Sequence, residues 1–192
     1  MLILGIDPGS QILGYSILEY ESGRTPRLVV MDVLYLKRIA EFKLRLHKIH
    51  ESTLRLIDSY HPDHLAIEAP FVGKNVQSML KLGKAQGVAI AAALSRDLSY
   101  TEYEPAAVKQ RVTGNGIATK EQVASVVMSV FNIDMQPQHL DATDAVAVAY
   151  TCFLEQTDPL AEMRAQLKQA ARRPAKKKVS WSDYLQQHPE QM

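Results

Sequence analysis

Met1-Leu-Ile-Leu-Gly-Ile-Asp-Pro-Gly-Ser10 begins with a continuous apolar run that ends in one carboxylate, Asp7. A run this apolar reads as a strand buried on both faces. Pro8-Gly9 is a strong turn signal, so Asp7 is expected at the open C-terminal edge of that strand. Taken alone, the stretch fits equally well an aspartate that only helps to form the turn.

A second short apolar run, His64-Leu-Ala-Ile-Glu68, also delivers an acid at its exit and is followed by Ala69-Pro70-Phe71. Two buried strands that each end in a carboxylate are not what a turn residue predicts. Between them the pattern gives a strand over 12–21, a third over 27–37, and a helix over about 40–60. In that helix Phe42, Leu46, Ile49, Thr53, Leu56 and Ile57 recur at helical spacing. The short connections make the first three strands an antiparallel meander.

Beyond Glu68 a long helix is predicted over 74–95, with Gly83 and Gly87 in its interior. Glycine there costs roughly 1 kcal/mol relative to alanine. A close neighbour, either this domain's sheet or a second subunit, would account for both. A fifth strand follows over 98–104, and Pro105 suits the first turn of a short helix. Thr119 with Gln122 forms a capping box for the next helix. A last helix starts at His139 or Leu140 and carries Asp141 and Asp144 three apart on one face. Capping by first-turn acids is the plainer reading of that pair. The small neighbours Ala142, Ala145, Ala147 and Ala149 would let this helix lie close on a sheet and bring both carboxylates to the strand ends.

Asp7, Glu68, Asp141 and Asp144 then form one cluster. Four carboxylates without a basic residue beside them in sequence cannot comfortably all be ionised. Hard divalent cations resolve this, and Mg²⁺ with oxygen ligands is the natural choice. Two such ions are a device for phosphodiester cleavage, one activating water and the other stabilising the leaving oxygen. Mn²⁺ is an expected substitute.

The totals agree with such a protein. At 192 residues with 46% hydrophobic content, the chain fits one domain with an appendage. No apolar stretch approaches a membrane span. No basic leader or cleavage site precedes the first strand, so a cytoplasmic protein is expected. The single cysteine, Cys152, excludes an internal disulfide and reads as a core residue. Residues 1–155 carry 15 Lys+Arg against 17 Asp+Glu, whereas 156–192 carry 7 against 4. The expected organisation is therefore a domain over 1–155 and a basic, partly disordered tail over 156–192. That tail contains Arg172-Arg-Pro-Ala-Lys-Lys-Lys178 and a small apolar motif of Trp181, Tyr184 and Leu185.

Gly5-Ile-Asp-Pro-Gly-Ser10, Ala66-Ile-Glu68, Lys81-Leu-Gly83 with Gly87-Val-Ala89, and Asp141-Ala-Thr-Asp-Ala145 together resemble the RuvC family of Holliday-junction resolvases, which are RNase H-like nucleases. The resemblance covers residues 1–155. It implies an α/β fold with a five-stranded mixed sheet flanked by helices, and a homodimer that nicks four-way DNA junctions symmetrically. It also implies collaboration with the RuvA–RuvB branch-migration motor. Asp7, Glu68, Asp141 and Asp144 stand at the family's catalytic acids, and Phe71 matches an aromatic that stacks on a base near the crossover. Lys109 and Lys120 match basic residues near the scissile phosphate, with Lys74 as a further backbone contact. Some relatives carry histidine at one of the paired acids. Here both are Asp, and His139 is a neighbour of the pair rather than a replacement. A non-catalytic junction-binding scaffold of the same fold is the rival reading. An actin-like ATPase is a weaker one, because the chain is short for two duplicated domains.

Overall fold

A computed structural model of the chain describes residues 1–21, 24–70, 75–134 and 140–158. The chain divides into two units, Met1–Thr157 and Asp158–Met192. Phe71, Lys74, His139 and the Trp181 motif lie outside the described residues.

Five strands form one mixed sheet: β1 (Leu2–Asp7), β2 (Ile12–Glu19), β3 (Arg27–Tyr35), β4 (His64–Glu68) and β5 (Tyr100–Tyr103). Their order across the sheet is β3-β2-β1-β4-β5. The meander β1-β2-β3 is antiparallel, while β4 and β5 run parallel to β1. Strands β2, β3 and β5 are each shorter than their apolar runs predict. At β5, Leu98 is buried but lies ahead of the strand, so its apolarity serves the core and not the ladder.

Helices cover both faces. On one side lie α1 (Phe42–Tyr60) and α2 (Val76–Leu94). On the other lie α3 (Pro105–Thr113), α4 (Lys120–Phe131) and α5 (Leu140–Gln156). The strand period of two divides the core between them. Leu4 and Ile6 of β1, with Leu65 and Ile67 of β4, join Ile49, Ile57, Ala85, Ala89 and Ala93 beneath α1 and α2. Ile3 and Ala66 face the other way, among Val127, Val146, Ala149 and Phe153. Asp7 is in phase with Ile3, and Glu68 with Ala66. Both acids therefore leave their strands on the α5 face.

Helix α5 lies over β1 and β2 at a distance that only glycine permits below it. A Cβ on Gly5 would overlap the Ala145 carbonyl and stand 2.8 Å from Ala149 Cβ. One on Gly14 would overlap the Asp141 carbonyl. Ser16, between them on that face, donates a buried 3.0 Å hydrogen bond to the Ala145 carbonyl and ties the helix to the sheet. Cys152 is buried in the same layer, as expected of a core residue.

Candidate active site

Asp7 pairs with Gly14 in the β1–β2 ladder, and Gly14 lies directly beneath Asp141. Because position 14 has no side chain, α5 can bring its acids to the end of β1. Ligand oxygens of Asp7, Asp141 and Asp144 come within 4.8 Å of one another, a set able to hold a metal ion. Every donor in the set is a hard carboxylate oxygen, the chemistry that Mg²⁺ or Mn²⁺ takes. Glu68 stands outside that trio but within its field.

Asp141 lies in the first turn of α5, where it complements the helix dipole. Asp144 lies beyond that turn and is buried, so capping does not explain it. Burial, then the charges of Glu68 and Asp144, hold the Asp7 carboxyl well above the usual carboxylate range. Glu68 is pushed up to about 7 by burial first and by the Asp144 charge second. Burial and like charge together thus disfavour the ionised acids, a cost that a divalent cation would relieve.

Lys120, which the resemblance sets near the scissile phosphate, reaches the acids themselves. It is the first residue of α4, whose start is held by the reciprocal Thr119–Gln122 capping box. Its Nζ donates to Asp144 Oδ2 at 2.6 Å and lies 3.8 Å from Asp141 Oδ1. Burial alone would lower the Lys120 pKa, but the hydrogen bond to Asp144 and the charges of Asp144, Asp7 and Asp141 raise it above its ordinary value. Asp144 is itself raised, because burial outweighs the downward pull of Lys120. Sequence spacing carried no sign of this pairing, since 24 residues separate the partners.

Two of the acids open onto a cleft of about 610 Å³. Glu68 and Asp144 line it together with Lys109, Lys120, Pro70 and Gly116. The Lys109 charge also acts on Glu68 and Asp144, opposing the rise of both. At the back of β4, Gln86 of α2 donates to the Glu68 carbonyl at 3.3 Å and to Glu102 at 2.8 Å, bracing the exit of that strand. Sequence reading missed Gln86, which looks like any polar residue of an alanine-rich helix.

Known proteins resemble this chain. The family described as crossover junction endodeoxyribonuclease RuvC matches residues 3–152. A protein of that name from Bacteroides fragilis is 46% identical over 193 aligned residues, covering 100% of this chain and 95% of its own. Another from Christiangramia forsetii is 51% identical over 152 residues, 79% of each chain. The solved structure of T. thermophilus RuvC in complex with Holliday junction substrate superimposes with a TM-score of 0.75 at 29% identity, covering 82% of this chain and 95% of that one. Among the described residues, no helix is long and apolar enough to cross a membrane. With the RNase H-like sheet, acids at the exits of β1 and β4, and a family match over most of its length, the chain belongs to the RuvC family of crossover junction endodeoxyribonucleases.

Proposed function

We infer that this protein is a Mg²⁺-dependent endonuclease that resolves four-way DNA junctions by paired, symmetric nicks. The observation that carries this reading is the meeting of Asp7, Asp141 and Asp144, the last of which lines a cleft together with Glu68, Lys109 and Lys120. Asp7, Glu68, Asp141 and Asp144 are the proposed ligands of two ions, with Mn²⁺ able to replace Mg²⁺. When bound, these ions supply an activated water and charge stabilisation for the leaving oxygen. Lys109 and Lys120 balance the negative charge of the scissile phosphate. Attack of water on phosphorus breaks the P–O3′ bond and leaves a 3′-hydroxyl and a 5′-phosphate. Phe71 is assigned to stacking on an unpaired base near the crossover, and Lys74 to a backbone phosphate.

Two symmetric nicks in one junction call for two active sites, and so for a homodimer. The α2 surface supports this. Val76, Leu80 and Leu94 are 62%, 54% and 53% exposed, and among the described residues nothing lies within 4 Å of a Cβ added to Gly83 or Gly87. The glycines are therefore not explained by this domain's own sheet, and a second α2 is the proposed neighbour. Family resemblance adds a RuvA–RuvB branch-migration complex as collaborator, in the cytoplasm. The domain is taken as 1–155, and the 156–192 tail, with its Lys-Lys-Lys run, as a further contact to DNA or protein.

A synthetic four-way junction incubated with the protein and Mg²⁺ should yield symmetric nicks that ligase can seal. Asp7→Asn should abolish nicking, by at least about 10³-fold as expected for loss of a metal ligand, and keep junction binding. Binding without nicks by the unaltered protein would favour the scaffold reading, and equal cutting of linear duplex would remove junction selectivity.

A further inference from the structure

Lys120 stands on the ligands that a metal would use. Its Nζ is 2.6 Å from Asp144 Oδ2 and 3.8 Å from Asp141 Oδ1, and both aspartates belong to the trio whose oxygens lie within 4.8 Å of one another. The Asp144 side chain is only 11% exposed, whereas that of Lys120 is 55% exposed. A carboxylate so enclosed needs a counter-charge, and the half-exposed lysine has room to leave. Its backbone does not move easily. The capping box fixes the start of α4, and Asn115 braces the preceding loop by accepting from the amides of Ile117 and Ala118. The mobile part is the side chain alone.

We propose that Lys120 is the resident counter-ion of the acid cluster. It neutralises Asp144 and Asp141 in the metal-free protein, is displaced from Asp144 when a divalent cation binds, and is then free to meet the substrate phosphate. An ammonium and a metal ion on one carboxylate oxygen would stand within about 5 Å of each other, where two positive charges in a partly enclosed site repel strongly. The cluster thus always carries a cation, and metal loading is coupled to release of the lysine toward DNA. This rests on the metal-site reading above.

Titrating MgCl₂ calorimetrically into DNA-free protein at about pH 8, above the value of about 7 to which Glu68 is raised, tests the idea. Lys120→Met should bind Mg²⁺ about tenfold more tightly than the unaltered protein, the size of one half-exposed charge-assisted hydrogen bond. Lys120→Arg, which keeps the cation, should stay near the unaltered affinity. Metal-free Lys120→Met should also melt below the unaltered protein, with saturating Mg²⁺ closing the gap. Unchanged or weaker Mg²⁺ binding by Lys120→Met would overturn the proposal.

A second measurement needs no variant. Acetylation of the unaltered protein, read by mass spectrometry, should label Lys120 slowly without metal and several-fold faster with Mg²⁺, with exposed Lys43 as reference. A Lys120 rate indifferent to Mg²⁺ would equally sink the counter-ion role. Absence of any Mg²⁺ binding by the unaltered protein would instead remove the metal-site reading, and this inference with it.

Discussion

In α5 the alanines at 142, 145, 147 and 149 are buried, and the helix lies so close to β1 and β2 that Gly5 and Gly14 are required beneath it. Helix α2 is richer still in small residues, with five alanines and two glycines. Its Ala85, Ala89 and Ala93 face the core, but Gly83 and Gly87 look onto open space between exposed Val76, Leu80 and Leu94. The small face of α5 meets the sheet at close range, whereas among the described residues nothing approaches Gly83 and Gly87 of α2. The difference shows that smoothness in sequence permits a close contact without fixing one. It also links architecture to chemistry, because the close approach of α5 is what carries Asp141 and Asp144 to Asp7.

Three changes would break or sharpen that contrast. The largest effect is expected from Gly14→Ala. Its methyl group would push the Asp141 backbone away from β2, and a displacement of about 1 Å at this proposed metal ligand would cost on the order of 100-fold in rate. Overpacking should also cost about 2–3 kcal/mol of stability. Junction affinity should survive, so nicking kinetics and urea melts read the two effects separately. Near-normal nicking would mean that α5 is not positioned by Gly14.

The second change is pH, acting on the acid-bearing end of α5 and its partners. Burial and neighbouring charge raise Glu68 to about 7 and hold Asp7 high. Protons retained by the folded protein are lost by the unfolded chain near ordinary carboxylate values. Stability from this source is thus fully present below about pH 4 and falls as pH rises through about 7. Metal-free protein should lose about 2 kcal/mol across that window, and saturating Mg²⁺ should flatten the slope. Urea denaturation at several pH values measures it, and a rising metal-free curve would contradict the crowding of the acids.

The smallest effect is expected from Gly87→Ala. In an isolated chain the methyl group meets nothing, so alanine should stabilise the monomer by roughly 1 kcal/mol. Where a second α2 lies against it, the same methyl group should weaken self-association. Melting at high dilution together with sedimentation equilibrium distinguishes these forms. Gain in the monomer without loss of association would mean that α2 has no close partner at position 87.

Much of the site was legible because strand periodicity is local. Ile3, Gly5 and Asp7 alternate with Leu4 and Ile6, and Ala66 and Glu68 alternate with Leu65 and Ile67, so both acids could be placed at strand exits from the sequence alone. The capping box at Thr119 and Gln122, the proline opening α3 and the buried Cys152 were legible for the same reason. Asp144 was misjudged as a first-turn residue, since acids near a helix start look alike until burial separates them.

By itself, then, the amino-acid sequence determined the alternation that turns Asp7 and Glu68 to one face, the three-residue spacing of Asp141 and Asp144, and the smoothness of the helix that carries them. Tertiary structure alone decided that Gly14 admits α5 and that Gly83 and Gly87 stay uncovered in the domain. It also decided that Lys120, 24 residues before Asp144, reaches into the acids. Local patterns follow from backbone geometry within a few residues. Which separate elements meet, and how closely, is set by the packing of the whole core.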